Sequence, residues 1–212
     1  MKYYRKDIST TIKILKYIFP MSNIELKRTI CGVDEVGRGT LAGPVVASAV
    51  ILSANHKIEG LKDSKKLTSI RRVKLSKIIQ KNALSIGIGI IDATIIDKIN
   101  IRQATLLAMS NSVKDLSIKP DIVLIDGVDK INIPHPQKSI IGGDSKEDSI
   151  MAASIIAKVE RDKIMDTYAR TYPDFGFEKN KGYGTKFHLN ALKINEPTPI
   201  HRMTFKPLKN KY

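Results

Sequence analysis

The chain has 212 residues, with 36 Lys and Arg against 21 Asp and Glu, a formal net charge of +15 and a pI near 9.8. Such a balance points to a polyanionic partner, nucleic acid before a membrane surface. The single cysteine, Cys31, excludes an internal disulfide and fits a reducing compartment, and no apolar run approaches the ~20 residues that span a bilayer.

The positive excess sits at the ends. Residues 1–30 carry +5 and residues 179–212 carry +7, whereas residues 31–178, with 21 basic and 18 acidic side chains, are nearly balanced. A chain of this length forms one main domain with a substantial core. Residues 8–19 place Ile8, Ile12, Leu15 and Phe19 at helical spacing before Pro20, which predicts a short amphipathic helix or an arm. Lys13 and Lys16 interrupt that stretch and no small-residue cleavage site follows, so it is not a secretory signal and the protein is expected to be soluble and cytoplasmic.

The stretch ICGVDEVGRGTLAGPVVASAVIL, residues 30–52, reads as strand, charged corner, strand. Cys31 lies in the apolar lead-in as a small packing residue. Asp34 and Glu35 stand where the first strand stops. Buried carboxylates are costly there unless a cation or hydrogen bonds compensate them, so the corner asks for a metal or a strong basic partner. The run GRGTLAG is no dinucleotide loop, because β-formers such as Val45 and Val46 follow it where that motif needs a helix. Adjacent residues on a strand face opposite ways, so both acids can serve one site only if the strand ends or bulges at them.

Further on, Thr68 is the expected N-cap of a helix through Val73, Ile78 and Ile79. Residues 85–91 alternate small and β-branched side chains, which predicts a third strand whose Gly87 and Gly89 admit a closely packed helix. Helical spacing returns over residues 93–113. A buried strand over residues 121–127 then ends in Asp126, echoing Asp34. After a loop with a short β-run at residues 139–141, Asp144 precedes the longest helix, residues 148–169, apolar in its first half and solvated through Lys158, Glu160, Arg161, Asp162 and Lys163. A short helix through Leu189 and Leu192 follows the string KGYGT. Alternating strands and helices indicate an α/β domain, and no repeat or linker sets an internal boundary.

Functional groups in an open α/β sheet collect outside the carboxyl ends of its strands. If the strands ending in Asp34 and Asp126 are neighbours, their carboxylates share one cluster that Asp144 can join. Hard oxygen donors without Cys or His favour Mg²⁺ or Mn²⁺ over zinc. Taken singly, Asp126 could equally cap the turn at Gly127, and Asp144 could serve as an acid at a helix start.

The motifs DEVGRGTLAGPVV, LKDSKKL, VLIDG, AASIIAK and KGYGT, in this order, resemble the type 2 ribonucleases H, the ribonuclease HII family. The resemblance covers roughly residues 30–208. It implies a ribonuclease H-like α/β fold, a central mixed β-sheet flanked by helices with a helical C-terminal extension. It also implies an organisation of an N-terminal extension (residues 1–29), a catalytic domain carrying a C-terminal substrate-binding segment (residues 30–208), and a tail (residues 209–212). The implied activity is endonucleolytic hydrolysis of RNA in RNA/DNA hybrids and nicking 5′ of ribonucleotides in duplex DNA, leaving 3′-hydroxyl and 5′-phosphate. Carried over residue by residue, the catalytic and metal-binding tetrad is Asp34, Glu35, Asp126 and Asp144, holding two Mg²⁺ or Mn²⁺ ions once substrate is bound.

In the same resemblance Gly37, Arg38 and Gly39 contact the substrate through their backbone, and Tyr183 stacks on the sugar beside the junction. Lys179, Lys181 and Lys186 are expected to meet phosphates, with a solvated face as the alternative. His188 and His201 read as surface or structural residues. Departures from the family pattern are Thr40, Val128, Gly142 and Met151, none at a proposed ligand. A monomer with no membrane partner is expected. Ribonuclease HIII and a non-catalytic nucleic-acid-binding protein are the competing readings.

Overall fold

The computed structural model describes residues 28–61 and 67–210. The helix expected over residues 8–19, Lys65 and Lys66, and the last two residues lie outside them. Strands β1 (Ile30–Val36) and β2 (Val45–Leu52) pair antiparallel, with Cys31 opposite Ile51 and Val36 opposite Val46. Strand β3 (Ala83–Ile91) continues the antiparallel run beyond β2, and β4 (Ile122–Asp126) and β5 (Gln137–Ile140) add in parallel on the other side of β1. The mixed sheet has the order β3-β2-β1-β4-β5.

Helix α1 (Ser69–Asn82) starts as its sequence predicts, the Thr68 hydroxyl accepting from the Arg71 amide. Helix α2 (Ala93–Lys114) covers one face of the sheet, where Val33, Ala47, Ile125, Ile96, Ala104 and Ala108 share a core. The glycines of β3 make this possible. A methyl group on Gly87 would lie 2.0 Å from the Ser112 carbonyl oxygen, and one on Gly89 1.9 Å from that of Ala108. Backbone meets backbone there.

Helix α3 (Asp148–Thr171) lies on the opposite face with α1, burying Met151, Ala152 and Ile156 against Val50, Leu75 and Ile79. Its start crosses β1 at Gly32, where a Cβ would come within 2.2 Å of the Ser149 backbone. The second half of α3 is not wholly solvated. Arg161 has no exposed surface, because it follows Ala157 and precedes Met165 by four residues each and so continues the buried stripe.

The C-terminal segment carries a one-turn helix α4 (Phe177–Asn180) and α5 (Lys186–Ile194), again capped by a threonine, Thr185. A third core gathers Leu41, Met165, Phe175, Phe177, Leu192 and Leu208, which fastens this extension to the loop after β1 and to the end of α3. Among the described residues no helix is long and apolar enough to cross a membrane.

Candidate active site

Strands β1 and β4 run parallel, with Val33 beside Ile125, so Asp34 and Asp126 are the next residues on adjoining strands, at their carboxyl ends. Val33 and Ile125 point into the core under α2, and the period of two sends Asp34 and Asp126 to the α3 face. The expected neighbourhood of the two strands is therefore present. Asp34 is 5% exposed. Its Oδ1 accepts from the Glu35 amide at 2.7 Å, and the Ser154 hydroxyl on α3 also bonds to it. Burial first, then the negative charges of Glu35 and Asp126, push its carboxyl up to about 8 against those hydrogen bonds.

Strand β1 neither stops nor bulges at Glu35. Its ladder to β2 continues through Glu35 opposite Ala47, while pairing with β4 ends at Val33, so the edge facing Asp126 is open. Burial raises Glu35 as well; the Arg38 guanidinium, 3.3 Å from its Oε1, opposes this and the Asp126 charge adds to it. Asp126 accepts the Gly143 amide on Oδ1 at 2.7 Å. That bond pins the 3-10 turn Gly143–Ser145 to the end of β4 and puts half-buried Asp144 in the residue after the one Asp126 holds.

Among the described residues no three His, Cys, Asp or Glu side chains already converge on one ion position. The Asp126 charge acts on both Asp34 and Glu35, and seating an ion requires side-chain rotation inward. The donor set suits a hard divalent cation: it is all carboxylate, and among the described residues the most buried member has no cation paired with it. Three nearby acids outside the tetrad are engaged elsewhere, Asp129 with Arg102 at 2.6 Å, Asp162 with Lys158 at 2.6 Å and Asp148 with His56 at 3.4 Å.

Beside the acids, the turn Gly37-Arg38-Gly39 is held from below by two fully buried arginines whose partners are nearly all carbonyl oxygens. Arg202 donates to Gly37, Arg38 and Gly43 at 2.7 to 3.0 Å. Arg161 donates to Pro44, Ala42 and Lys181 and to the Thr40 hydroxyl at 2.8 to 3.1 Å. Burial lowers both guanidinium values, Arg202 to about 9, with Arg161 adding to the effect on Arg202. Four hydrogen bonds from each guanidinium compensate most of that cost, with the charges of Asp162 on Arg161 and Asp97 on Arg202 as smaller opposing contributions.

Thr40, a departure from the family pattern, donates to the Gly37 carbonyl at 3.0 Å and accepts from Arg161, which gives it a structural use here. Gly37 has φ +93°, and a Cβ would strike Arg161; a Cβ on exposed Gly39 would meet nothing within 4 Å, so that position is open to approach.

Tyr183 is 43% exposed, and its loop is stitched to the glycine turn by the Leu41 amide donating to the Gly182 carbonyl at 2.8 Å. Lys179 and Lys186 are exposed. Lys181 is ion-paired to Asp166, so a phosphate would have to compete for it. His188 and His201 are structural rather than surface residues, 0% and 2% exposed. Arg161 and His188 had a readable signal, since each shares helical spacing with apolar neighbours; His201 and Arg202, in an irregular segment, had none.

Residues 31–208 match the family model described as Ribonuclease HII. A protein named Ribonuclease HII from Bacillus subtilis is 55% identical over 183 residues, which is 86% of this chain and 71% of that one. The crystal structure of ribonuclease H2 from Pyrococcus horikoshii superposes with a TM-score of 0.74 at 25% identity, covering 86% of this chain and 96% of that one. A structure of Bst-RNase HIII in complex with Mn²⁺ shares the fold, with a TM-score of 0.67 at 19% identity, over 86% of this chain and 68% of that one.

Proposed function

The chain belongs to the ribonuclease HII family, and from that premise we propose that it is an endonuclease hydrolysing RNA in RNA/DNA hybrids and nicking duplex DNA 5′ of an embedded ribonucleotide. The products are a 3′-hydroxyl and a 5′-phosphate. One observation carries the site: Asp34 and Asp126 follow the last paired residues of adjoining parallel strands, with Glu35 next to Asp34 and Asp144 next to the Gly143 amide that Asp126 accepts. Asp34, Glu35, Asp126 and Asp144 hold divalent metal, Mg²⁺ or Mn²⁺, as two ions when substrate is present. The Mn²⁺ complex of the ribonuclease HIII supports divalent metal in this fold.

Bound there, divalent cations supply an activated water and stabilise the leaving oxygen of the scissile phosphodiester. The protein's own residues do the rest. Asp34 and Asp126, fixed by the sheet and by the Ser154 and Gly143 contacts, orient the cluster on the scissile phosphate. Arg38 orients Glu35 through an ion pair at 3.3 Å. The open backbone at Gly39 and the flat face of Tyr183 meet the ribose, whose 2′-hydroxyl is what separates RNA from DNA. Lys179 and Lys186 meet flanking phosphates. The chain acts as a monomer.

The test is a nicking assay on duplex DNA carrying one ribonucleotide, with Mg²⁺, Mn²⁺ or EDTA. A nick 5′ of the ribonucleotide that needs metal and disappears in Asp34→Asn and Asp126→Asn is expected. Binding without a nick would instead assign the chain to non-catalytic nucleic-acid binders with a structural acidic cluster.

A further inference from the structure

We infer that His188 and His201 form a one-way hydrogen-bond relay that fixes the Tyr183 backbone beside the glycine turn, making both histidines positioning residues for ribose recognition. This rests on the reading that Tyr183 meets the ribose. The direction of the relay follows from its two ends. The Thr198 amide lies 2.9 Å from His201 Nδ1, and an amide N–H can only donate, so that nitrogen carries a lone pair. Neutral His201 then has its proton on Nε2. His201 Nε2 is 3.0 Å from His188 Nε2, which must accept, leaving the His188 proton on Nδ1. There it faces the Tyr183 carbonyl oxygen at 3.0 Å, a group that can only accept. No other assignment of protons to two neutral rings makes all three bonds.

The surroundings hold both rings in that state. Phe175 and Phe177 pack around them, with centroids 4.8 Å from Phe175 to His201 and 5.3 Å from Phe177 to His188. The only charged neighbour in sequence, Arg202, aims its guanidinium away at the carbonyls of Gly37, Arg38 and Gly43. An added proton would set N–H against N–H.

The relay spans the two halves of the substrate-facing surface. At one end, the Tyr183 carbonyl takes the His188 proton and also the Thr185 amide at 2.8 Å. At the other, His201 bridges Ala42, in the loop that continues the glycine turn, and the flanking amides close the same ladder, Gly43 to the Ile200 carbonyl and Arg202 to the Leu41 carbonyl. The separation between the Tyr183 ring and Gly37-Arg38-Gly39 is thus set by hydrogen bonds of defined direction. Two apolar side chains would fill the same space at less desolvation cost but leave the Tyr183 carbonyl held by the Thr185 amide alone.

His188→Leu fills the space without a donor, whereas His188→Asn keeps an N–H near the Nδ1 position. Cleavage at a single embedded ribonucleotide should fall roughly 10-fold or more in kcat for His188→Leu, recover substantially in His188→Asn, and leave duplex binding within about 2-fold. In a Tyr183→Ala background, His188→Leu should add less than about 2-fold, because the two act through one contact. Full activity of Tyr183→Ala alone would sink the Tyr183 reading. An impaired Tyr183→Ala beside a fully active His188→Leu, or losses that multiply in the double variant, would overturn the relay. Should His188→Leu not fold, ¹⁵N NMR of the wild-type histidines decides: Nδ1–H on His188 with Nε2–H on His201 is expected, and any other pair of tautomers or a charged ring refutes the relay.

Discussion

At the scale of the residue, Asp34 concentrates the conflict between stability and chemistry. It is buried beside two other carboxylates, and its folded value near 8 lies well above the ordinary 3.8. A raised carboxyl value means that the residue favours the folded state only while protonated. That contribution is present below about pH 4 and lost as pH rises toward 8, so at neutral pH the metal-free protein carries the cost of a partly ionised buried acid. Asp34→Asn removes that cost while keeping the shape. Metal-free Asp34→Asn should therefore melt at the same temperature or up to roughly 5 °C higher, corresponding to about 2 kcal/mol at this chain length, while cleavage is lost. Differential scanning calorimetry in EDTA checks it, and a marked drop in melting temperature would show Asp34 to be a structural acid. The position of Asp126 at the end of a buried strand was legible in the sequence, and that of Asp34 nearly so, although β1 runs two residues further, to Val36. Their adjacency was not, since it depends on β4, about ninety residues away, adding in parallel to β1, a choice that no local pattern records.

At the scale of the element, glycine decides where helices sit. The alternation of glycine in residues 85–91 predicts a close helix, and α2 indeed lies with the Ala108 carbonyl 1.9 Å from where a Gly89 methyl would be. Rigid backbone cannot yield as a side chain does. Gly89→Ala should cost on the order of 3 kcal/mol, whereas Gly39→Ala, with nothing within 4 Å, should leave stability nearly unchanged. Urea unfolding of the two variants separates these outcomes.

The C-terminal extension makes a second test at this scale. Burial, with His188 adding to it, lowers His201 to about 4 from its ordinary 6.5. A depressed histidine contributes stability that is complete above the unfolded value and lost as pH falls through the folded one. Between pH 7.5 and 5 the wild type should lose about 2 kcal/mol that a His188→Leu/His201→Leu variant does not lose, measured by guanidinium midpoints at both pH values. Here the sequence was less forthcoming. His188 shares its buried face with Ala191 and Leu192, a helical pattern that can be read, but His201 and Arg202 lie in irregular chain between prolines, where burial comes only from the tertiary fold.

At the scale of the whole molecule, the question is which part of the +15 charge meets nucleic acid. The residues around Tyr183 give an internally controlled answer. Lys179 and Lys186 are exposed, whereas the Lys181 ammonium is already paired with Asp166 and its backbone carbonyl is taken by Arg161. A cation that neutralises a phosphate releases a counterion and steepens the salt dependence of binding; one that is neutralised within the protein releases none. Replacing Lys179 or Lys186 with Ala should thus reduce the slope of log K against log salt by about 1 each, without a change in sequence preference. Replacing Lys181 with Met should leave the slope within about 0.3 of the wild type, because Asp166 already balances its charge. Anisotropy titrations of a ribonucleotide-containing duplex across a salt series measure all three. Equal effects from the three lysines would mean that Asp166 gives up its partner on binding, and the phosphate path would then run along α3 past Asp166 rather than over α5 alone.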